Sequence, residues 1–385
     1  MRSFSTLFSL CCLSGCLLLN LAGEVSSSSD AVSLENLSFN NKNNKNKTTT
    51  ATTTSTLDIL KRRRYLTNKK PIPDGITVGV YYYPWHSYDF HRGGGYAREE
   101  LMPQHRPTLG EYDDRDPEVV GQHLRWSRQA NVKLWVCSWW GPRRREDRTI
   151  TGSILTHPEL NDHKISLLYE STNRVRGNSF DLVATDATYI CETYFHHPNY
   201  YRIDGRPVVF IYLARKLDSL GQLGPMVKAF RDNCHGYNPY LIGDQVWNDA
   251  PTSNKVYDAF SHLDAVTNYD IYGNMGGAPY VGQTRVDRYY DRQERWRSRA
   301  WEDGVRYAVA ASPGYNDRAV RPWENHTALS RRLTEDSEPG TLFMAQLERA
   351  VQLVDPGLDN LLMINSWNEV SVTVITSTFG DKELL

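Results

Sequence analysis

The run LLMINSWNE ends in Asn368 and Glu369. A carboxylate at the end of a buried run, beside an amide, suits proton transfer on a sugar. Other apolar runs end in kindred groups. They close on Tyr82-Tyr83-Pro84-Trp85-His86, Ser138-Trp139-Trp140-Gly141, Tyr169-Glu170, Tyr212, Asp244 and Tyr269-Asp270. A seventh leads into Pro313-Gly314-Tyr315-Asn316-Asp317 and then Arg321-Pro322-Trp323. Sugars present apolar C–H faces and rings of hydroxyls. Indole and phenol rings cover the faces, while Asp, Glu, Asn and Arg fix the hydroxyls. Any one of these aromatics would ordinarily be core. Their concentration at run ends points to a carbohydrate. His86, His91 and His105 share one loop region without ligand-like spacing. They are read as loop residues or substrate contacts, and neither a metal nor a cofactor is expected.

Something must bring these ends together. Eight short apolar runs recur from Pro71 onward: TVGVYYYPW, VKLWVCSWWG, KISLLYE, RPVVFIYLA, YLIGDQVW, LDAVTNYD, RYAVAASPGY and LLMINSWNE. They are near-continuous in β-branched and aromatic residues, as in strands buried on both faces of a parallel sheet. The segments between them are long enough for helices. Asp116 is the expected N-cap of the first, with Pro117 at its first position and Glu118 favouring the dipole. Val119, Val120, His123, Leu124 and Trp126 follow at helical spacing. The pattern predicts a single α/β domain over 71–385, a (β/α)8 TIM barrel with its chemistry at the C-terminal ends of the strands. An open doubly wound sheet is the rival. It is disfavoured because no Gly-rich phosphate loop follows any strand.

The chain has 385 residues and a formal net charge of -1. That length can bury one large core, and the balanced charge argues against nucleic acid as a partner. Residues 1–23 carry Arg2, an apolar stretch from Leu7 to Ala22 and the small-residue site Leu21-Ala22-Gly23. They read as a signal peptide or an N-terminal membrane anchor, either of which directs the chain to the secretory pathway. Residues 24–70 are rich in Ser, Thr, Asn and Lys and are expected to form a disordered stem. Asn36 and Asn46 head glycosylation sequons within it. Beyond the leader only Cys137, Cys191 and Cys234 remain, an odd number that leaves at least one thiol free or paired between chains.

The motifs YYYPWHS, DRDPEVVGQHLRWSRQANVKLWVCSWWG, HHPNYYRIDGRPVVFIY, PGYNDRAVRPWENHTALSR and INSWNE carry a resemblance. In this order and spacing, the chain over about 77–369 resembles glycoside hydrolase family 99, the endo-α-mannosidases of the secretory pathway and their bacterial relatives. The resemblance implies a (β/α)8 fold, no metal and internal cleavage of α-mannosidic linkages with retention. The expected partners are mannose-containing glycans or glycoproteins. The expected location is the secretory pathway, either the Golgi lumen with a type II anchor or outside the cell. The family's proposed route uses one Glu as base on the sugar 2-hydroxyl, which attacks C1 to give an epoxide-like intermediate. A second Glu, three positions later, serves as general acid and base.

By this resemblance Glu369 is the base, with Asn368 beside it. Trp139 or Trp140 matches a substrate-stacking Trp. Glu170 matches an acidic residue after the third strand, although LLYEST departs from the family's His-x-Glu-Pro-Tyr pattern there. Tyr269 or Tyr272 matches a Tyr facing the cleaved bond. Tyr83, His86 and Arg321 sit in motifs that border the cleft, and a salt bridge holding the loop is an equal reading for Arg321. The general acid should fall at 372, where the family has Trp-His-Glu after Asn-Glu. This sequence has Val370-Ser371-Val372, and VSVTVITSTFGDKELL lacks the family's last helix. Three readings are open: a gene-prediction artefact beginning after Glu369, a truncated isoform, or a degenerate, non-catalytic glycan-binding barrel. The abruptness of the change favours the first.

Overall fold

The computed structural model describes residues 73, 75–87, 108–172, 174–252, 257–275, 278–317 and 328–368. The leader, the stem, Arg321, Glu369 and the altered last helix all lie outside the described residues.

Each of the eight apolar runs contributes a strand. These are β1 (Thr77–Tyr82), β2 (Val132–Trp139), β3 (Lys164–Tyr169), β5 (Arg206–Ile211), β6 (Tyr240–Asp244), β7 (Ala265–Thr267), β8 (Arg306–Ala311) and β9 (Leu361–Ile364). All pair in parallel, β3 joins β5, and β9 returns to β1, so the sheet closes into a (β/α)8 barrel. The residues between strands form the outer layer: α1 (Pro117–Gln129), α2 (Arg145–Thr149), α3 (Asp181–Thr193), α4 (Ala214–Ser219), α5 (Leu223–Asp232), α6 (Ala259–His262), α7 (Ile271–Met275), α8 (Gly282–Glu302) and α9 (Thr341–Ala350). A π-helical turn, Ile150–Ile154, continues α2. Among the described residues no helix is long and apolar enough to cross a membrane.

Helix α1 begins as its sequence requires. The Asp116 side chain accepts from the Glu118 amide at 2.9 Å, and Pro117 occupies the first turn. Such a cap stabilises a helix by about 1 kcal/mol. Val119, Val120, His123 and Leu124 turn inward from α1 and are buried.

The triple tyrosine of β1 shows how the pleat sorts side chains. Tyr82 faces outward, stacked on Trp135 at 4.3 Å, with its hydroxyl 2.9 Å from His123 Nδ1 on α1. Tyr81 faces inward, edge-on to Phe210 and Tyr269. Deeper in the barrel the interior narrows. A Cβ on Gly79 would lie 2.7 Å from Met363 Sδ, so only glycine lets the strands approach there.

The strands are shorter than the apolar runs. In LDAVTNYD only Ala265–Thr267 is strand, because the rim residues beyond it leave the ladder. A short strand, β4 (Arg202–Ile203), also folds back antiparallel on β5. Its turn is Asp204-Gly205, both at positive φ, a two-residue hairpin signal that the eight-run pattern passes over.

Cys191 and Cys234 form a disulfide that ties α3 to the chain just beyond α5, and Cys137 is a buried free thiol. The bridge spans a sequence separation of 43. Closing a loop of that length removes about 4 kcal/mol of unfolded-state entropy. The Cys191→Ser, Cys234→Ser pair is therefore expected to lower the melting temperature by about 10 °C in calorimetry. An unchanged melting temperature would show that the bridge does not stabilise the fold.

Candidate active site

The mouth of the barrel is organised first by a junction between β1 and β9. The Tyr83 amide donates to Asn368 Oδ1 at 2.7 Å, and Asn368 Nδ2 donates back to the Tyr83 carbonyl at 3.0 Å. The Trp367 amide donates to the Tyr81 carbonyl at 2.9 Å, continuing the ladder past the end of β9. This reciprocal pairing ties the side chain of the residue immediately before Glu369 to the Tyr83 backbone. His86 supports it from the other side. Its Nε2 lies 2.8 Å from the Asn368 carbonyl and 3.2 Å from the Trp85 indole nitrogen.

The His86 loop is itself held. Its amide donates to Asp114 Oδ2, and its carbonyl accepts from the Asp114 amide at 3.1 Å. Arg145 donates to the carbonyls of Trp85 and His86 and to Asp113. Burial pushes the Asp114 carboxyl well above its usual range, against the lowering effect of the His86 amide. Phenol meets phenol above the barrel interior, where the Tyr83 and Tyr269 hydroxyls are hydrogen-bonded. Asn365 Nδ2 holds the Tyr269 carbonyl at 2.9 Å.

On the β2 side the two tryptophans diverge. Trp139 is fully buried on the outward face. Its Nε1 donates to Asp147 Oδ1 on α2 at 2.9 Å, and its ring stacks with Tyr169 and Tyr189. Trp140 is half-buried and shares the inward face with Ser138. Its Nε1 donates to Ser138 Oγ at 2.9 Å, and Ser138 Oγ donates to Glu170 Oε1 at 2.7 Å. Glu170 follows β3 and is buried.

Across the mouth, Arg215 sits between two carboxylates. Its Nη1 reaches Asp244 Oδ2 at 2.5 Å, its Nη2 lies 3.5 Å from Asp270 Oδ2, and its guanidinium lies over the Trp247 ring. Tyr272 stacks on Tyr315 at 4.0 Å, and the Tyr315 hydroxyl donates to Asp317 Oδ2 at 2.9 Å.

Burial pushes Asp244 up to about 6. Arg215 pulls it down and Asp270 adds to the rise. The folded value lies above the unfolded value of 3.8, so the folded state holds the proton more tightly. Its contribution to stability therefore falls as pH rises from about 4 to about 6, by roughly 3 kcal/mol. Asp244→Asn is expected to flatten this slope and to help most at pH 7. Denaturant unfolding at pH 4 and pH 7 measures it; equal slopes for variant and parent would refute the assignment.

Among the described candidates, Tyr83, His86, Asn368 and Tyr269 thus form one hydrogen-bonded cluster, and Trp140 and Glu170 form another. Tyr272 belongs to a third group with Tyr315, and Trp139 packs into the helix layer. Arg321 and Glu369 lie outside the described residues. The sequence reading did not single out Arg215, Asp114 or Asn365. Their roles depend on partners far along the chain, as with Arg215 and Asp244, 29 residues apart. No group of three or more His, Cys, Asp or Glu that could hold a metal occurs among the described residues. The arrangement places aromatic faces, fixed amides and carboxylates at the C-terminal ends of the barrel strands, the set of groups that a sugar's faces and hydroxyls require.

Comparison with known proteins is consistent with this chemistry. The family model described as glycosyl hydrolase family 99 matches residues 77–220. A glycoprotein endo-alpha-1,2-mannosidase-like protein of Danio rerio is 23% identical over 294 residues, covering 70% of this chain and 59% of that protein. The glycoprotein endo-alpha-1,2-mannosidase of Mus musculus is 24% identical, covering 68% of this chain and 54% of that one. The chain thus spans less than two thirds of the length of these curated relatives. Among solved structures, the family 99 endo-alpha-mannosidase from Bacteroides thetaiotaomicron, in complex with bis-tris-propane, is similar in fold. Its TM-score is 0.55 at 21% identity, covering 77% of this chain and 85% of that one. The chain resembles glycoside hydrolase family 99 in sequence and in barrel architecture.

Proposed function

We propose that this barrel is built for a glycoside hydrolase of the endo-α-mannosidase type. Its cleft takes internal α-mannosidic linkages of N-glycans or α-mannan within the secretory pathway, anchored or secreted. The observation that carries this reading is the two-way clamp between Asn368 and the Tyr83 backbone. It anchors the side chain one residue before Glu369 to β1, at the strand-end rim where such barrels do their chemistry. Glu369 is then the base that removes the 2-hydroxyl proton. The freed oxygen attacks C1, the glycosidic bond breaks, and the leaving oxygen must take up a proton. Trp140 rather than Trp139 is the sugar platform, since Trp139 turns to Asp147 in the helix layer while Trp140 turns to Ser138 on the inward face. Tyr83, His86, Tyr269 and Asn368 border the reacting sugar, Tyr272 belongs to the outer cleft, and Arg321 is a further substrate contact.

One observation favours a second reading. Position 372 holds valine, which cannot protonate a leaving oxygen. A non-catalytic glycan-binding barrel would keep the rim and lose the acid. Both readings require binding of α-mannosides. Titration of the full chain with α-1,2-mannobiose and with β-1,4-mannobiose tests them together. Preference for the α-linked sugar is expected, and no binding of it would overturn both. Release of reducing oligosaccharide from α-mannan separates the hydrolase from the binder.

A further inference from the structure

Ser138 is wholly buried at the inner face of β2, between two groups of the proposed cleft. Its hydroxyl has a single proton and lone pairs to spare. The proton goes to Glu170 Oε1 at 2.7 Å, and a lone pair takes the Trp140 indole N–H at 2.9 Å. One oxygen therefore orients a carboxylate and an aromatic face with respect to each other.

The backbone on both sides of Trp140 is already pinned. Asp147 accepts from the Trp139 indole through one oxygen and from the Arg143 amide through the other, at 2.9 and 2.7 Å. The Tyr189 and Tyr194 hydroxyls also donate to Asp147, so the carboxylate cannot turn away. Gly141 adopts φ +128, and a Cβ there would lie 3.1 Å from Arg174 Nη1. Arg174 is in turn held by Asp186 on α3. With the turn fixed, the remaining freedom of Trp140 is rotation of its own side chain, and Ser138 is the group that selects the rotamer.

We infer that Ser138 is a positioning residue that joins Trp140 and Glu170 into one mannose-recognition unit. In that unit the indole covers the C–H face of a hexose while Glu170 accepts a hydroxyl hydrogen of the same ring. This rests on the α-mannoside reading above.

The test uses the full chain and α-1,2-mannobiose, followed by tryptophan fluorescence and ligand-observed NMR. Ser138→Ala is expected to weaken binding about tenfold, since it removes a partner from the part-buried Trp140 indole N–H and from the buried Glu170 carboxylate. Ser138→Thr keeps the hydroxyl and is expected to restore most of the affinity. Trp140→Phe keeps a ring but removes the donor. Combined with Ser138→Ala, it should weaken binding by less than the product of the two single effects. A merely structural serine would give independent, multiplicative losses. If Ser138→Ala does not fold, the cycle between Trp140→Phe and Glu170→Gln reads the same coupling. Wild-type affinity in Ser138→Ala, or independent losses in either cycle, would overturn the inference while leaving the α-mannoside reading intact. Failure of the wild-type chain to bind the disaccharide would instead overturn that reading, and this one with it.

Discussion

Glu369→Gln, made in a chain that also carries a carboxylic acid at position 372, is expected to lower turnover of an α-mannan oligosaccharide by at least about 10²–10⁴-fold. Affinity for α-1,2-mannobiose should stay within a few-fold. The amide keeps the shape of the side chain and part of its hydrogen bonding, but it cannot take the 2-hydroxyl proton. Its placement is not expected to suffer, because the preceding residue is set by groups the substitution does not touch. Asn368 is clamped to Tyr83, and its carbonyl is held by His86. A fall in kcat with little change in substrate binding is the signature of an interaction made only in the transition state. Near-normal turnover in the Gln variant would remove Glu369 from the mechanism.

The barrel was legible because its strands are covered on both faces. That burial forces continuous apolar runs such as VKLWVCSWW, and eight runs at helix-sized intervals leave few architectures. The rim was legible for a related reason. Rim residues are large and aromatic, so the apolar runs continue past the last ladder residue into the site itself. The same continuity hid where each strand stops and which way the pleat points there. Trp139 and Trp140 are neighbours of one type, yet the period of two sends one to Asp147 in the helix layer and the other to Ser138 in the barrel. Nothing local distinguishes them. The Asp204-Gly205 hairpin was local and readable, whereas the Arg215–Asp244 pair joins two separate strand ends and is visible only once the ring has closed.

The chain as it stands, with Val372, is expected to bind α-mannosides and to hydrolyse them about 10²–10⁴-fold more slowly than a chain with the acid restored. The proposed sugar platform lies upstream, at Trp140, Glu170 and Tyr269, and none of it depends on residue 372. In the proposed route the leaving oxygen does depend on a donor there. Val372→Glu alone should recover only part of the rate, because a catalytic carboxyl acts well only when neighbouring groups fix its position and tune its proton. Replacing 370–385 with a family-like Trp-His-Glu continuation and its closing helix should recover more, and should raise the melting temperature as well. The measurement is oligosaccharide release from one α-mannan preparation by the three proteins at equal concentration. Rapid hydrolysis by the chain with Val372 would mean that another acid protonates the leaving group. Two carboxyls would then compete for the role. Glu170 already accepts the Ser138 hydroxyl, and Asp317 accepts the Tyr315 hydroxyl. Glu170→Gln and Asp317→Asn in the otherwise unaltered chain would identify which of them had taken it over.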